Sequence, residues 1–200
     1  MKADESKAGR KIVAIATSTG GPKALQELIP LLPANLNAPV LIVQHMPEGF
    51  TKALADRLDT LCQIAVKEAQ EGDVLENGHG FLARGGRHMN IVKIGARHLI
   101  HYTDEPPREG VRPCANFMYE SLADCGYDEV VCAVLTGMGA DGTAGILNLM
   151  RKKRVTVLAQ NEETCVVYGM PRSIVLAGLT RRTMSLEQIA QEITKNVGVN

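Results

Sequence analysis

Short apolar runs closed by small or polar residues alternate along this chain with segments whose apolar residues recur every three or four positions. Residues 12–16, 40–43, 63–67, 130–135 and 156–159 are runs of the first kind, mostly rich in β-branched side chains, and suit strands, most of them buried on both faces. A helix is expected from Pro22, with Leu25, Leu28, Ile29 and Leu32 inward over 23–32 and Pro33 as its stop. A second covers 50–61, with Phe50, Leu54, Leu58 and Leu61 on one face. A third covers 116–125, with Phe117, Leu122 and Cys125 inward. A fourth covers 142–153, with Ile146, Leu147 and Met150 inward. Pro171 opens a short helix, and Ser185-Leu-Glu-Gln188 is a capping box that starts the last one, through about residue 196.

The middle of the chain has a different texture. Residues 68–103 are rich in glycine, and 90–102 reads as two extended pieces around Gly95-Ala96, a hairpin attached to the sheet. Pro106, Pro107 and Pro113 make the next stretch a loop. Strands alternating with helices of about ten residues predict an α/β fold of three layers, a mostly parallel sheet with helices on both faces.

Length and composition add limits to this picture. Two hundred residues, 45 % of them apolar, make one domain over 11–200, enough to bury roughly 70 % of the unfolded surface. Residues 1–10 are polar and charged, a flexible lead-in or the remnant of a linker. With 22 basic and 22 acidic residues the chain has no global field for nucleic acid or anionic membrane. The basic run 151–154 suits the carboxyl end of a helix, where cations oppose the dipole. Five cysteines without a Cys-x-x-Cys pair argue against a disulfide framework, a zinc site or a redox sensor, and for reduced thiols in a cytoplasmic protein. No apolar run is long enough to span a membrane and no signal sequence opens the chain, so membrane insertion is not expected. No phosphate-binding P-loop or dinucleotide glycine motif follows a strand.

Candidate chemistry gathers where the expected strands end, which in an open parallel sheet is the rim where ligands bind. Ser18, His45 and Asp141 close three of the strands. They are the residue types of a nucleophile, a general base and the carboxylate that orients the base. The turn Ser18-Thr19-Gly20-Gly21, between a buried strand and a helix, resembles the placement of a serine nucleophile, with Ala16 where a glycine is usual. The order Ser, His, Asp differs from that of α/β-hydrolases. Each residue also has a duller reading. Ser18 and Asp141 suit helix caps, Met138 suits loop packing, and the serine turn suits a non-enzymatic anion- or phosphate-binding module. His79, His88, His98 and His101 look solvated or on a hairpin face, and His98 and His101 are spaced to face opposite sides of a strand, a poor metal pair.

Several motifs occur together in one order: Ser18-Thr-Gly-Gly, Gln44-His45-Met-Pro with Gly49-Phe50, Leu135-Thr-Gly-Met-Gly-Ala-Asp141-Gly, Ala159-Gln-Asn-Glu, and Val166-Val-Tyr-Gly-Met-Pro-Arg172. From about Lys11 to the end the chain closely resembles the catalytic domain of the chemotaxis methylesterase family (CheB-type). The resemblance implies a hydrolase that cleaves γ-methyl esters of chemoreceptor glutamates and deamidates receptor glutamines, without a metal or organic cofactor. It implies Ser18 as nucleophile, His45 as base and Asp141 as orienting acid, with Thr19 and Met138 bordering the site and supplying oxyanion amides. It implies the cytoplasmic helices of methyl-accepting chemoreceptors as substrate, met in an open, shallow groove. A receiver domain common in the family is not in this sequence. If the chain is part of a longer protein, a phosphorylatable receiver domain and a chemotaxis histidine kinase are further implied partners; otherwise it is a stand-alone esterase. The chain departs from the family pattern at Ala16, at Arg84-Gly85-Gly86-Arg87-His88 and at Cys114-Ala115-Asn116, which bears on rim contacts and substrate choice.

Overall fold

The structure is a computed structural model in which residues 9–200 are described, so all of the expected lead-in except Gly9 and Arg10 lies outside the described residues. In chain order the strands are β1 (Lys11–Thr17), β2 (Val40–Gln44), β3 (Ala65–Glu68), β4 (His79–Leu82), β5 (His88–Ile94), β6 (Arg97–Thr103), β7 (Glu129–Val134), β8 (Arg154–Gln160) and β9 (Thr183–Met184). The helices are α1 (Gly21–Leu28), α2 (Thr51–Leu61), α3 (Ala115–Ser121), α4 (Thr143–Met150), α5 (Gly169–Leu176) and α6 (Leu186–Val197). Seven strands pair in parallel in the order β3-β4-β2-β1-β7-β8-β9.

Period-two alternation sorts the central strands between two cores. Val13, Ile15, Val40, Ile42, Val131 and Ala133 face α1, α2 and α6. Ile12, Ala14, Leu41, Val43, Val130 and Cys132 face α3, α4 and α5. Burial on both faces is why these strands read as unbroken apolar runs. The winding reverses at β1: its crossover through α1 leads to β2 on one side, whereas β7 and its crossover through α4 build outward on the other. The crevice at the carboxyl ends of β1 and β7 is therefore the switch point, where a doubly wound sheet opens for a ligand.

The last helix starts as expected. The Gln188 N–H donates to Ser185 Oγ at 3.3 Å and the Ser185 N–H donates to Gln188 Oε1 at 3.1 Å, closing both halves of the capping box. Elsewhere the structure corrects the sequence reading. The hairpin of β5 and β6 does not join the main sheet; it forms a two-stranded sheet of its own, bridged at Leu99 to Val74, and packs Met89, Ile91, Ile100 and Tyr102 into the core beside α3. The glycine-rich middle also hides β4, where Gly80 lets the strand lie against Val66. Helix α4 buries Ile146 and Leu149, so Leu147 and Met150 face outward; with only eight residues it has room for one three-residue repeat against the sheet. Phe50 precedes α2 and stands 60 % exposed, and Leu61 at its far end is also exposed. Helix α3 ends at Ser121, and a 3-10 turn carries the chain to Asp124.

Of the histidines, His88 is fully buried, stacked 4.2 Å from Phe117, rather than solvated. His98 is buried and His101 exposed, the opposite faces that their spacing requires. The basic run lies past the end of α4 and serves the loop after α3: Lys152 pairs with Asp124 at 3.0 Å, and Lys153 donates to the Cys125 and Tyr127 carbonyls. Among the described residues no helix is long and apolar enough to cross a membrane.

Candidate active site

Strands β1 and β2 leave the sheet in register. Thr17 pairs with Gln44, so Ser18 and His45 are the next residues on neighbouring strands about 4.8 Å apart. The His45 N–H completes the ladder by donating to the Thr17 carbonyl at 3.1 Å. Asp141 reaches the same rim from β7 through the loop 135–140, and His45 Nε2 lies 2.7 Å from its Oδ2. The imidazole and the carboxylate are thus in direct contact, and Ser18 lies on the adjacent turn.

Asp141 is 2 % exposed and surrounded by donors. Its Oδ1 accepts from the Cys114 thiol at 3.0 Å and the Asn116 N–H at 2.9 Å, and its Oδ2 accepts from the Ala115 N–H at 2.6 Å as well as from His45. Burial pushes the carboxyl up, but the bonds from His45, Cys114 and Ala115 and the His45 charge together outweigh it and hold the group below its ordinary range. Burial, followed by the Asp141 charge, pushes the Cys114 thiol up to about 12, so it stays protonated and donates. The capping expected of Asp141 does occur, but on the wrong helix. Its oxygens take the first amides of α3, while Asn116 Oδ1 takes the Gly142 and Gly145 amides at the start of α4, at 3.0 and 2.7 Å. Each helix caps the other, and the carboxylate is locked between them.

Ser18 is held differently. Its N–H donates to the Thr136 carbonyl at 3.0 Å, and its own carbonyl accepts from the Gly21 N–H at 2.8 Å and from Gln44 Nε2 at 3.0 Å. Its hydroxyl makes no hydrogen bond among the described residues, so it does not cap α1, whose N-cap is Gly20. The bend falls at Gly20, φ 80°, after the strand has ended, so the buried Ala16 does not have to provide it. The Thr19 and Met138 amides also donate to nothing among the described residues. Met138 does not pack into the loop: its side chain is 71 % exposed.

Residues that the sequence reading passed over hold this backbone in place. Gln44 Nε2 bridges the Ser18 carbonyl and the His45 carbonyl, the latter at 3.1 Å. A Cβ on Gly21 would run into the Gln44 side-chain oxygen, and one on Gly137 would meet Ser18 Cβ at 2.8 Å. Gln160 Oε1 accepts from the Thr136 N–H at 2.8 Å; Thr136 Oγ1 donates to the Thr19 carbonyl at 2.9 Å and accepts from Val166 and Val167. The signal was present: Gln44, Thr136 and Gln160 each end or follow a buried strand, where an apolar residue would otherwise be expected. Beside the imidazole, His45, Met46, Pro47, Val111 and Arg112 line an open groove of about 230 Å³. No cluster of three metal-ligating side chains occurs among the described residues.

Residues 13–193 match the family model for CheB methylesterase. A *Bacillus subtilis* protein named protein-glutamate methylesterase/protein-glutamine glutaminase is 47 % identical over 94 % of this chain and 53 % of its own length. One of the same name from *Oceanobacillus iheyensis* is 46 % identical over 96 % of the chain and 55 % of its own. The chain therefore spans about half the length of the curated relatives it matches. The crystal structure of the *Thermotoga maritima* CheB methylesterase catalytic domain superimposes with a TM-score of 0.90 at 37 % identity, covering 94 % of this chain and 98 % of that one. A match that runs through nearly every element of the sheet, together with this rim, has one explanation: the chain belongs to the CheB methylesterase family.

Proposed function

We propose that residues 11–200 act as a catalytic domain that hydrolyses the γ-methyl esters of chemoreceptor glutamates and the side-chain amides of receptor glutamines, with Ser18, His45 and Asp141 as its machinery. The observation that carries this reading is the 2.7 Å contact between His45 Nε2 and a carboxylate locked by three further donors, one strand away from the Ser18 turn. With Nε2–H donating to Asp141, Nδ1 is the nitrogen with a lone pair to take the Ser18 proton. Ser18 Oγ then attacks the side-chain carbonyl carbon, and the Thr19 and Met138 amides receive the oxyanion. Protonation by His45 expels methanol from an ester or ammonia from an amide. Water, deprotonated by His45, attacks the acyl-serine and releases glutamate and the free hydroxyl. Each step uses only side chains, backbone amides and water.

The substrate glutamates lie on helices of the receptor's cytoplasmic part, which places the reaction in the cytoplasm. The half-buried Ser18, the exposed Met138 and the open groove by His45 suit a surface over which a helix can dock. In a protein as long as the relatives, a phosphorylatable receiver domain and a chemotaxis histidine kinase are the partners this reading expects.

The test is methanol release from methylated receptor membranes by wild-type and Ser18→Ala protein. Release that disappears in the variant supports the reading, and equal release rejects it. A fluorophosphonate separates an enzyme from an anion-binding turn: covalent labelling of Ser18 that depends on His45 belongs to the enzyme, whereas tight phosphate binding at the turn without labelling belongs to the module.

A further inference from the structure

A second cavity opens at the other end of the sheet, about 20 Å from Ser18 along β1. It holds about 320 Å³, within the range of sites for small molecules. Its floor is a stacked pair, His98 and Tyr127, each 5 % exposed, with ring centres 4.3 Å apart. Arg10, at the entry to β1, and Arg97, at the turn of the hairpin, stand at its rim, and no lining residue carries a carboxylate.

Each of these groups offers a donor that has no partner among the described residues. The Tyr127 hydroxyl makes no hydrogen bond among the described residues, and burial holds its phenol well above the ordinary range, so it keeps its proton. His98 Nε2 accepts the Gly126 N–H at 3.1 Å, which puts the proton of the neutral ring on Nδ1. Burial, and then the charges of Arg10, Lys93 and Lys153, push the His98 ring below its usual value, a sign of positive potential at the floor. The acids nearby are otherwise engaged: Glu129 pairs with Lys11 at 3.2 Å, and Asp128 takes the Arg10 backbone N–H at 2.7 Å. Neither guanidinium has an acidic partner among the described residues.

Two guanidiniums above the O–H and N–H donors of two mostly buried rings form a receptor for a compact anion with several acceptor oxygens. We propose that this cavity is a binding site for a phosphate-type dianion, either free phosphate or a phosphomonoester whose organic part fills the remaining volume. Tyr127 and His98 donate from below and Arg10 and Arg97 close over the outer oxygens. The site is independent of the chemistry proposed for Ser18.

The test is calorimetric titration of the intact 200-residue chain with inorganic phosphate, and separately with glycerol 3-phosphate. One saturable site is expected, with a Kd on the order of 1 mM or tighter for at least one of the two. Arg10→Gln with Arg97→Gln should weaken it at least about tenfold, and Tyr127→Phe by about three- to tenfold. Arg97 is exposed, so Arg97→Gln alone gives a folded control should the buried Tyr127→Phe variant not fold. Tighter binding of the ester identifies an organic phosphate, and equal binding identifies the free ion. Absence of saturation with both probes, or unchanged affinity in the arginine variants, overturns the proposal.

Discussion

The two sides of the rim are built on opposite plans. On the acid side both carboxylate oxygens are tied: Asp141 takes four donors from His45, Cys114, Ala115 and Asn116, and Asn116 returns the favour by capping α4. On the Ser18 side only the backbone is tied among the described residues. Thr136, Gly21 and Gln44 pin the amide and carbonyl of Ser18, while its hydroxyl and the nearby Thr19 and Met138 amides have no partner among the described residues. The contrast separates two needs of acyl transfer. A carboxylate that orients a base must not move, whereas a hydroxyl and the oxyanion amides must be free to change partners as the reaction proceeds.

The strongest test of this division removes the untied group. Ser18→Ala should lower ester hydrolysis by about six decades, as for other nucleophile deletions, with the melting temperature nearly unchanged because no hydrogen bond of the fold is lost. A marked fall in melting temperature would show that the hydroxyl is structural after all. Asp141→Asn should cost about four decades in kcat by orienting His45 wrongly. Unlike the serine variant it should also destabilise the protein, since it replaces a carboxylate held by charge-assisted bonds. Parallel turnover and thermal unfolding of the two variants measure the difference directly.

Gln44→Leu comes next. It frees the Ser18 and His45 carbonyls from their shared donor, and kcat should fall about ten- to a hundredfold while KM changes little. Equal activity would mean that the β1–β2 register alone sets the geometry. The smallest effect should come from Cys114. Cys114→Ser keeps a donor for Asp141 and should stay within about threefold of wild type, whereas Cys114→Val removes it and should cost about tenfold. The pH dependence follows with a definite sign. The Asp141 carboxyl is lowered in the folded state, so its contribution to stability is present above the ordinary carboxylate range, near 3.8, and is lost as pH falls through the native value below that. Cys114→Val raises the native value toward the ordinary one, so acid unfolding should begin at a higher pH than in the wild type. Coincident acid-unfolding curves would contradict this.

The sequence carries the sheet legibly where burial is complete. β1, β2 and β7 are apolar on both faces, β1 and β2 end in polar residues and Thr136 follows β7 after Leu135, so strand, rim and candidate chemistry can be read together. It carries β4 and β9 poorly. β4 has Gly80 at its centre, and β9 has two residues, too few for any period to show. Helical faces are read less well: Phe50, Leu147 and Met150 share a spacing with core residues, but Phe50 precedes α2, and the short α4 buries Ile146 and Leu149 instead. At the site, Ser18, His45 and Asp141 are visible as chemical types at strand ends. The bonds that fix them are not, because Asp141–Ala115 and Gln44–Ser18 join residues 26 positions apart and depend on how α3 meets α4 and how β1 meets β2.

The central claim is that Ser18, His45 and Asp141 act together at one edge of the sheet. It is tested most directly by the rate of fluorophosphonate labelling, located by peptide mapping, in the wild type, His45→Gln and Asp141→Asn. Fast modification of Ser18 alone, slowed by at least about three decades in each variant, is the predicted result. Labelling of Ser18 at the same rate in all three proteins, or labelling at another residue, would contradict it.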